Sequence, residues 1–314
     1  MIILNYVVLP LAAILGLGYA LRMMVSRWGP GQVGVLFRSM PLTGAFGLTV
    51  IMLYVFGAVF APLIAPYGES EIFDAINQLP GQDPRFSLGT DQLGRDLLTR
   101  LIYGGRNTIG IALVTVILAF VLGASLGFLA AVVGGWFDQV LSRIVDALMA
   151  IPQLIFALLL ITIFGQSTIN MILVIAVLDS TRVFRLSRAV GVNIVVMDYI
   201  EAAKLRGESL WYLIFKEILP NATAPLLAEF GLRFCFVFLL IASLSFLGIG
   251  IQPPLADWGT MVRELAPFIN YAVVPGFELT AALPLMPAAA IALLTVAVNF
   301  VVDWMLQRYS GLKE

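Results

Sequence analysis

Long apolar stretches alternate along the chain with shorter polar segments, and the apolar stretches indicate the architecture. A helix needs about 20 mostly apolar residues to cross the hydrocarbon core of a bilayer, at about 1.5 Å of rise per residue. Candidate spans of this kind lie at 2–21, 42–64, 107–133, 148–164, 170–187, 225–247 and 284–304. The pattern therefore predicts an all-α, polytopic membrane protein.

The spacing of the stretches and their glycines predicts how some of these helices pack. Only the segment GQSTIN separates the fourth and fifth stretches, which is too short for anything except an antiparallel hairpin. Gly123 and Gly127 lie four residues apart in the third stretch, and such a small-x-x-x-small step allows two helix backbones to approach closely. A contact within the chain is the simplest use of that surface.

Basic residues near the ends of the stretches predict the orientation. Lysine and arginine concentrate on the cytoplasmic side of membrane proteins. The cations of three segments follow this rule if the amino terminus is outside: Arg22, Arg27 and Arg38; Arg188, Lys204, Arg206 and Lys216; and Arg308 and Lys313. The loops 65–106 and 248–283 are then outside. The first stretch is expected to be a retained anchor, with an interfacial segment or a mis-chosen start codon as the alternative because Pro10 lies within it.

Composition supports a membrane protein and excludes several functional classes. The chain is 61% hydrophobic and 12% charged, whereas soluble domains carry about 25% charged residues. A net charge of −1 gives no electrostatic footprint for nucleic acid. The chain has no histidine and a single cysteine, Cys235, which removes the histidine-based zinc sites and triads and any disulfide within the chain. Catalysis by this chain is therefore not expected.

One charged segment, YIEAAKLRGESLWYLIFKEILPN at 199–221, lies between two of the apolar stretches. Residues 199–206 favour a short helix, and Gly207 suits a left-handed carboxyl-terminal cap. Ser209 can cap the next helix, and Pro220 is expected to stop that helix from continuing smoothly. The sequence predicts two short helices with a bend.

The same segment carries more apolar surface than a solvated loop needs. Ala202 and Ala203 leave little side-chain bulk on the first helix, which allows another backbone to approach. The run 211–215, WYLIF, gives the second helix a large apolar surface. A partner protein would bury that surface, and the alternative is an amphipathic helix lying on lipid headgroups.

Three blocks of this segment resemble the EAA loop of permease subunits in binding-protein-dependent ABC importers. The blocks are Glu201-Ala202-Ala203, Gly207 and Leu219-Pro220. Two further stretches, LGTDQLGRDLLTRLIYGGR at 88–106 and LSFLGIGIQPPLADWGTMV at 244–262, are similar to the C-type permease of the peptide, opine and nickel branch. The segment AVNFVVDWM at 297–305 resembles the family's ending, so the resemblance covers about 42–310.

The resemblance implies a type I ABC importer transmembrane domain with an extra N-terminal helix, in the inner membrane of a bacterial or archaeal cell. It divides the chain into an anchor and basic linker at 1–40, a first family span and outer loop at 41–106, and a core permease domain at 107–310 with coupling helices at 195–220. The residues it assigns to ATPase coupling are Glu201, Ala202, Ala203, Gly207, Trp211, Leu219 and Pro220.

The resemblance also implies partners. These are a homologous permease subunit, two ABC ATPase subunits that carry ATP and Mg, and an extracytoplasmic solute-binding protein. No cofactor is expected on this chain, and the sequence contains no G-x-x-x-x-G-K-[ST] phosphate loop, so the nucleotide chemistry is assigned to other chains.

Charged residues inside the predicted spans have two possible roles. Charges at membrane depth are costly and count as functional hypotheses. Glu229 and Arg233 are four residues apart on one helix face, which favours an internal ion pair over substrate contact. Arg182, Arg185 and Arg188 are more typical of interfacial anchors with snorkelling side chains than of ligands for an acidic substrate, while the role of Asp179 stays open.

The outer loops carry polar residues that suit a structural role. Asp91, Arg95 and Asp96 are expected to form local hydrogen bonds, since their spacing lacks the ligand pattern of a calcium site. The segment QPPLADWG predicts a turn that places Trp258 at the outer membrane interface.

These observations favour a permease subunit of an ATP-driven importer for peptides or similar small solutes. An ion-coupled secondary transporter is the alternative, although it would leave the charged segment without a role. A membrane-embedded enzyme or passive scaffold would need a nucleophile and base that the sequence does not provide. Peptides, opines and nickel chelates are not distinguished by this chain.

Overall fold

A computed structural model of the chain describes residues 9–28, 37–80, 82–273, 280 and 282–310. Its helices are α1 Leu9–Trp28, α2 Leu42–Val59, α3 Ala61–Ile64, α4 Leu97–Val133, α5 Gly135–Met149, α6 Gln153–Phe164, α7 Thr168–Val195, α8 Asp198–Leu205, α9 Leu210–Phe246, α10 Trp258–Leu265 and α11 Ala282–Ser310. A 3-10 helix, Ala266–Val273, follows α10. The described ranges contain no β-strand, so the predicted all-α class is confirmed.

Four of the described helices are long and apolar enough to cross a membrane. They are Leu42–Val59, Leu97–Val133, Leu210–Phe246 and Ala282–Arg308, which match the second, third, sixth and seventh predicted spans. Residues 2–8 of the first predicted span lie outside the described residues, and the rest of that span lies in α1. The fifth predicted span, 170–187, lies within α7. This helix is not among the four because it contains too many charged residues.

The fourth predicted span, 148–164, is wrong as a single helix. The chain breaks between α5 and α6, and the two helices meet at an angle of 91°. Pro152 at the break explains the result, because proline lacks an N–H and disfavours helical backbone at the residue before it. Together α5 and α6 could form one broken span or a re-entrant segment.

The predicted hairpin between the fourth and fifth stretches is confirmed. Helix α6 ends at Phe164 and α7 begins at Thr168, and the two helices pack against each other. Gly165 adopts a φ of +98°, and the side chain of Ser167 accepts a hydrogen bond of 3.1 Å from the backbone N–H of Asn170. Local turn chemistry therefore sets this connection.

The cap at Ser167 gives a stability prediction. Replacing Ser167 with alanine leaves an N–H of the first turn of α7 without its side-chain acceptor, which is expected to cost about 1 kcal/mol of unfolding free energy. Unfolding of the purified chain by sodium dodecyl sulfate in mixed micelles measures the loss. Ser167→Asn is the matched control, because asparagine caps equally well, and equal stability of the alanine and wild-type proteins would contradict the prediction.

The chain divides into two compact units. The first contains the described residues of 1–107 and 254–314, and its α2 packs on α11 and on α1. Phe46 and Phe300 meet edge to face at 6.3 Å between ring centroids, and Tyr54 donates a hydrogen bond of 3.1 Å to the carbonyl of Ala290. The N-terminal helix is thus part of this unit's packing.

The second unit, 108–253, contains a close helix contact formed by glycines. A Cβ added at Gly127 would lie 2.7 Å from the carbonyl oxygen of Phe184, and one at Gly123 would lie 2.5 Å from that of Ser180. The backbones of α4 and α7 therefore touch along this face. The small-x-x-x-small step serves a contact within the chain, as the simpler interpretation predicted.

The outer loop of the first unit contains the expected local hydrogen bonds. Asp91 accepts from the side chain of Arg95 at 2.7 Å, and Asp96 accepts from the backbone N–H of Thr99 at 2.7 Å. Arg100 Nη2 and Glu264 Oε2 are 3.4 Å apart, which ties α4 to α10. Local polar contacts thus shape the loop before α4, as predicted.

The predicted interfacial position of Trp258 is wrong. The side chain is 4% exposed, and its indole N–H donates a hydrogen bond of 2.8 Å to the carbonyl of Leu101. Its ring lies on Gly104 and Gly105, where an added Cβ would come within 3.0 Å and 2.7 Å of it. Two adjacent glycines make room for the indole, so Trp258 packs inside the first unit.

Candidate functional site

Helix α8 begins the charged segment that the sequence singles out. Acidic residues in its first turn, Asp198 and Glu201, complement the positive end of the helix dipole, and Lys204 complements the last turn. After Arg206 the backbone turns at Gly207, whose φ is +78°. The N–H of Gly207 bonds to the carbonyl of Lys204, and that of Glu208 bonds to the carbonyl of Ala203.

These two bonds make a Schellman motif, so the predicted left-handed cap at Gly207 is confirmed. Ser209 then starts α9, because its side chain accepts a hydrogen bond of 3.2 Å from the N–H of Tyr212. The predicted cap at Ser209 is confirmed too. A connection of four residues, 206–209, thus joins α8 to α9 with a fixed geometry.

Pro220 does not end α9, which continues to Phe246, but the helix does not continue smoothly there, as the sequence predicted. Residues Leu213–Ile218 form a π-helical turn, in which the N–H of Leu219 bonds to the carbonyl of Ile214. This wider turn directly precedes Pro220, which has no N–H to contribute. The side-chain amide of Asn221 donates to the carbonyl of Glu217 at 2.7 Å.

One face of the segment is buried in the second unit. Its buried side chains are Ile200, Ala203, Leu213, Ile214 and Ile218, and they form one cluster with Phe128 of α4 and Ile194 of α7. Ala203 is fully buried, so the small side chain lies where α8 approaches the rest of the unit. The segment is therefore anchored to the helix bundle along its length.

The opposite face of the segment is exposed and largely apolar. Trp211 and Phe215 are 60% and 49% exposed, and their rings stack at 5.8 Å between centroids. Leu205, which the sequence interpretation did not single out, is 83% exposed. The exposed apolar face consists of Leu205, Leu210, Trp211 and Phe215, with exposed Glu201, Ala202 and Lys204 beside it.

The arrangement can transmit a displacement. Helix α9 runs for 37 residues, or about 55 Å, from the exposed face to Phe246. A displacement applied at Trp211 would move the whole helix, because packed helices transmit motion that a flexible loop would absorb. The other two residues that the resemblance assigns to coupling differ in position: Leu219 is half-buried and Pro220 is exposed.

The charges inside the predicted spans form a cluster larger than the predicted pair. Arg233 Nε lies 2.7 Å from Glu229 Oε1, which brings the two predicted residues together. Arg233 Nη1 also lies 3.7 Å from Oδ1 of the buried Asp179, so the cluster links α9 to α7. The sequence interpretation missed Asp179 as the third member, because sequence spacing reveals partners only within one helix.

Arg188 differs from the predicted snorkelling anchor, because its guanidinium forms an ion pair with Asp138 of α5. Arg182 and Arg185 are exposed, and the anchor interpretation of these two residues stays a prediction. Among the described residues, no group of three or more His, Cys, Asp or Glu side chains could hold a metal ion.

Comparison with known proteins identifies similar sequences. The sequence profile of the family described as "Binding-protein-dependent transport system inner membrane component" matches residues 123–310. The chain is 38% identical to the "Di/tripeptide transport system permease protein DppC" of Pseudomonas aeruginosa over 231 residues, covering 72% of this chain and 76% of that protein.

Two further relatives are named for different solutes. The chain is 33% identical to the "Glutathione transport system permease protein GsiD" of Pectobacterium atrosepticum over 220 residues, covering 70% of this chain and 73% of that protein. It is 33% identical to the "Probable D,D-dipeptide transport system permease protein DdpC" of Escherichia coli over 239 residues, covering 76% of this chain and 80% of that protein.

Proposed function

The chain belongs to the family of binding-protein-dependent transport system inner membrane components, as a permease component of a peptide ABC transporter, and from this we propose that residues 199–220 couple it to cytoplasmic ATPase subunits. The observation that carries the proposal is the two-sided packing of this segment. Its inner face is buried in the second unit, while its outer face exposes Trp211, Phe215 and Leu205.

The charges around the segment support the cytoplasmic side. Arg188, Lys204, Arg206 and Lys216 lie in or beside it, and such an excess of cations is typical of cytoplasmic loops. A lipid-bound amphipathic helix would also bury apolar side chains. Such a helix would not need a Schellman cap and a serine cap to fix the angle between α8 and α9, whereas a rigid contact with a moving partner does.

The mechanism follows from these contacts. ATP-driven closure of two ATPase subunits moves the exposed face, and the buried contacts of Leu213, Ile214 and Ile218 pass the movement to the second unit. The continuous α9 carries it from Trp211 toward Phe246. A homologous permease subunit would form the other half of the pathway, and an extracytoplasmic binding protein would deliver the solute.

We also propose small peptides as the solute, since the names of the relatives mention di- and tripeptides, D,D-dipeptides and glutathione. No bond of the solute is broken on this chain. The ATP and Mg belong to the partner ATPases, and the assembly lies in the inner membrane of a bacterial or archaeal cell. Pairing of Glu229 with Arg233 speaks against the ion-coupled alternative, because it neutralises a carboxylate that such a transporter would use.

The proposal is tested by purification and reconstitution of the assembly. The tagged chain is expected to bring down ABC ATPase subunits from its native membrane. Proteoliposomes that contain this assembly and the binding protein are expected to accumulate a dipeptide only when ATP is enclosed on the ATPase side. Uptake that follows a proton or sodium gradient without ATP would overturn the proposal in favour of a secondary transporter.

A further inference from the structure

A buried carboxylate, Asp179, lies where three helices of the second unit meet. Asp179 is on α7, and its side chain is fully buried. Gln153, in the first turn of α6, interacts with the carboxylate through its side-chain amide, and the guanidinium of Arg182 faces it. Arg233 approaches from α9, with Nη1 at 3.7 Å from Asp179 Oδ1. One side chain of α7 therefore contacts both α6 and α9.

Asp179 lies at membrane depth. It is 11 residues beyond Thr168, which places it about 16 Å along α7 from the hairpin turn, or roughly half the thickness of the hydrocarbon core. A charged side chain at this depth is costly and counts as a functional hypothesis. The charge of Asp179 therefore needs a role that an apolar residue would not fill.

Arg233 is held on its own helix by two neighbours. Its Nε lies 2.7 Å from Oε1 of Glu229, one turn earlier in α9, and its Cζ lies 4.6 Å from the centroid of the Phe236 ring. A guanidinium over an aromatic face is attracted to it. Trp211 is 22 residues earlier on the same helix, or about 33 Å away along the axis. A displacement at Trp211 thus reaches the guanidinium through one continuous helix.

We propose that Asp179 is a positioning residue that passes the movement of α9 to α7 and α6. The inference rests on the proposed function, which supplies the movement at Trp211. A buried ion pair adds little stability over apolar side chains of the same size, and its best-attested use is to fix the register of two elements. Apolar side chains attract one another at several offsets, whereas two opposite charges favour one. The pair of Asp179 and Arg233 therefore holds α7 and α9 at one offset as α9 moves.

The break in the chain at Pro152 gives such a link a use for α6. Helix α5 meets α6 at 91°, so no continuous helix carries movement along the chain into α6. Helix α6 packs on α7 and α9, and its first residue, Gln153, reaches Asp179. Movement of α9 therefore reaches α7 through the ion pair and α6 through Gln153.

The ratio of peptide transported to ATP hydrolysed tests the inference in the same proteoliposomes. Asp179→Asn removes the charge and keeps the size of the side chain. This variant is expected to lower the ratio about tenfold, within the usual range of a coupling between sites, while ATPase subunits stay bound and hydrolyse ATP. Glu229→Gln is the matched control. It removes the carboxylate nearest to Arg233, but Glu229 lies on the same helix and links no helices, so the ratio should stay normal.

A double variant separates positioning from stability. Asp179→Leu combined with Arg233→Met replaces the pair by apolar side chains and leaves neither charge buried alone, so the assembly should be about as stable as the wild type. The ratio should still be about tenfold low, since an apolar pair does not fix the register. A double variant with the wild-type ratio would assign the pair to stability alone and overturn the inference, and it decides the question where Asp179→Asn does not assemble.

The outcomes separate this inference from the proposed function. Wild-type assembly that shows no ATP-dependent uptake overturns the proposed function itself. Normal wild-type uptake together with a normal ratio in Asp179→Asn overturns only the positioning role. An equal loss in Glu229→Gln also overturns that role, since any carboxylate beside Arg233 would then have the same effect.

Spin labels on α6 and α9 test the movement directly. In an assembly whose other subunits lack cysteine, Cys235→Ala removes the only thiol of this chain, and Ile163→Cys and Phe246→Cys place one label on each helix at exposed positions. With Asp179 in place, trapping ATP with vanadate is expected to leave the distance between the labels unchanged, because the two helices move together. Asp179→Asn should let ATP change that distance. A distance that responds to ATP equally in both backgrounds, or in neither, would overturn the inference.

Discussion

Replacing Trp211 with alanine is expected to release the ATPase subunits from the assembly, with association weakened by about 30-fold or more. Large, exposed aromatic side chains that become buried in an interface are typical hot spots, and removing one costs about 2 kcal/mol or more. Trp211 is 60% exposed and stacked on Phe215, so it presents a preformed aromatic surface. Quantitative copurification of the tagged chain with ATPase subunits measures the loss.

The matched control is Trp136→Ala. Trp136 is 76% exposed on α5, so its replacement removes a similar exposed aromatic surface from the same unit, outside the coupling segment. This variant is expected to retain its ATPase subunits. If Trp211→Ala also retained them at wild-type affinity, the exposed face of α8 and α9 would not be the contact surface, and the coupling proposal would fail.

Features set by neighbouring residues were predictable from the sequence. The caps at Gly207 and Ser209 depend on backbone and side-chain groups a few residues away, and both are present. Hydropathy predicted the long apolar helices, because a helix that crosses a membrane must be apolar over its whole span. The close contact at Gly123 and Gly127 was predictable because glycine has no side chain, and two glycines four residues apart let another backbone approach.

Features that depend on distant residues were not predictable. Trp258 looked like an interfacial anchor, but Gly104 and Gly105 lie beside its ring after folding, and no local pattern links them. Asp179 approaches Arg233 from another helix, so spacing along α9 identified only Glu229. Pro220 predicted that the helix would not continue smoothly, but its position alone did not reveal the π-helical turn that accommodates the missing N–H and lets α9 continue.

The candidate site shows the same division. The sequence indicated that the run 211–215 was too apolar for a solvated loop, which is correct for the segment as a whole. It did not separate the buried Leu213 and Ile214 from the exposed Trp211 and Phe215, because that division depends on where Phe128 and Ile194 lie. Placing the segment against ATPase subunits stays a prediction of the family resemblance.

Replacing Gly207 with valine is expected to uncouple ATP hydrolysis from transport while the assembly stays in the membrane. At a φ of +78° a β-branched residue is strained by on the order of 2 kcal/mol, which lowers the equilibrium constant for the native connection between α8 and α9 about 30-fold. An added Cβ meets no atom of this chain within 4 Å, so crowding of that Cβ within the chain does not contribute. ATP-dependent uptake should fall by up to the same factor, measured beside ATPase activity.

Gly207→Asn tests the cause of that loss. Asparagine tolerates left-handed backbone, so Gly207→Asn keeps the Schellman cap. This variant should transport near the wild-type rate although it, like the valine variant, adds a side chain. A valine variant that transports normally would mean that transport does not depend on the fixed angle between α8 and α9. An asparagine variant as defective as valine would instead assign the loss to contact with the added side chain, and the fixed connection would lose its proposed role.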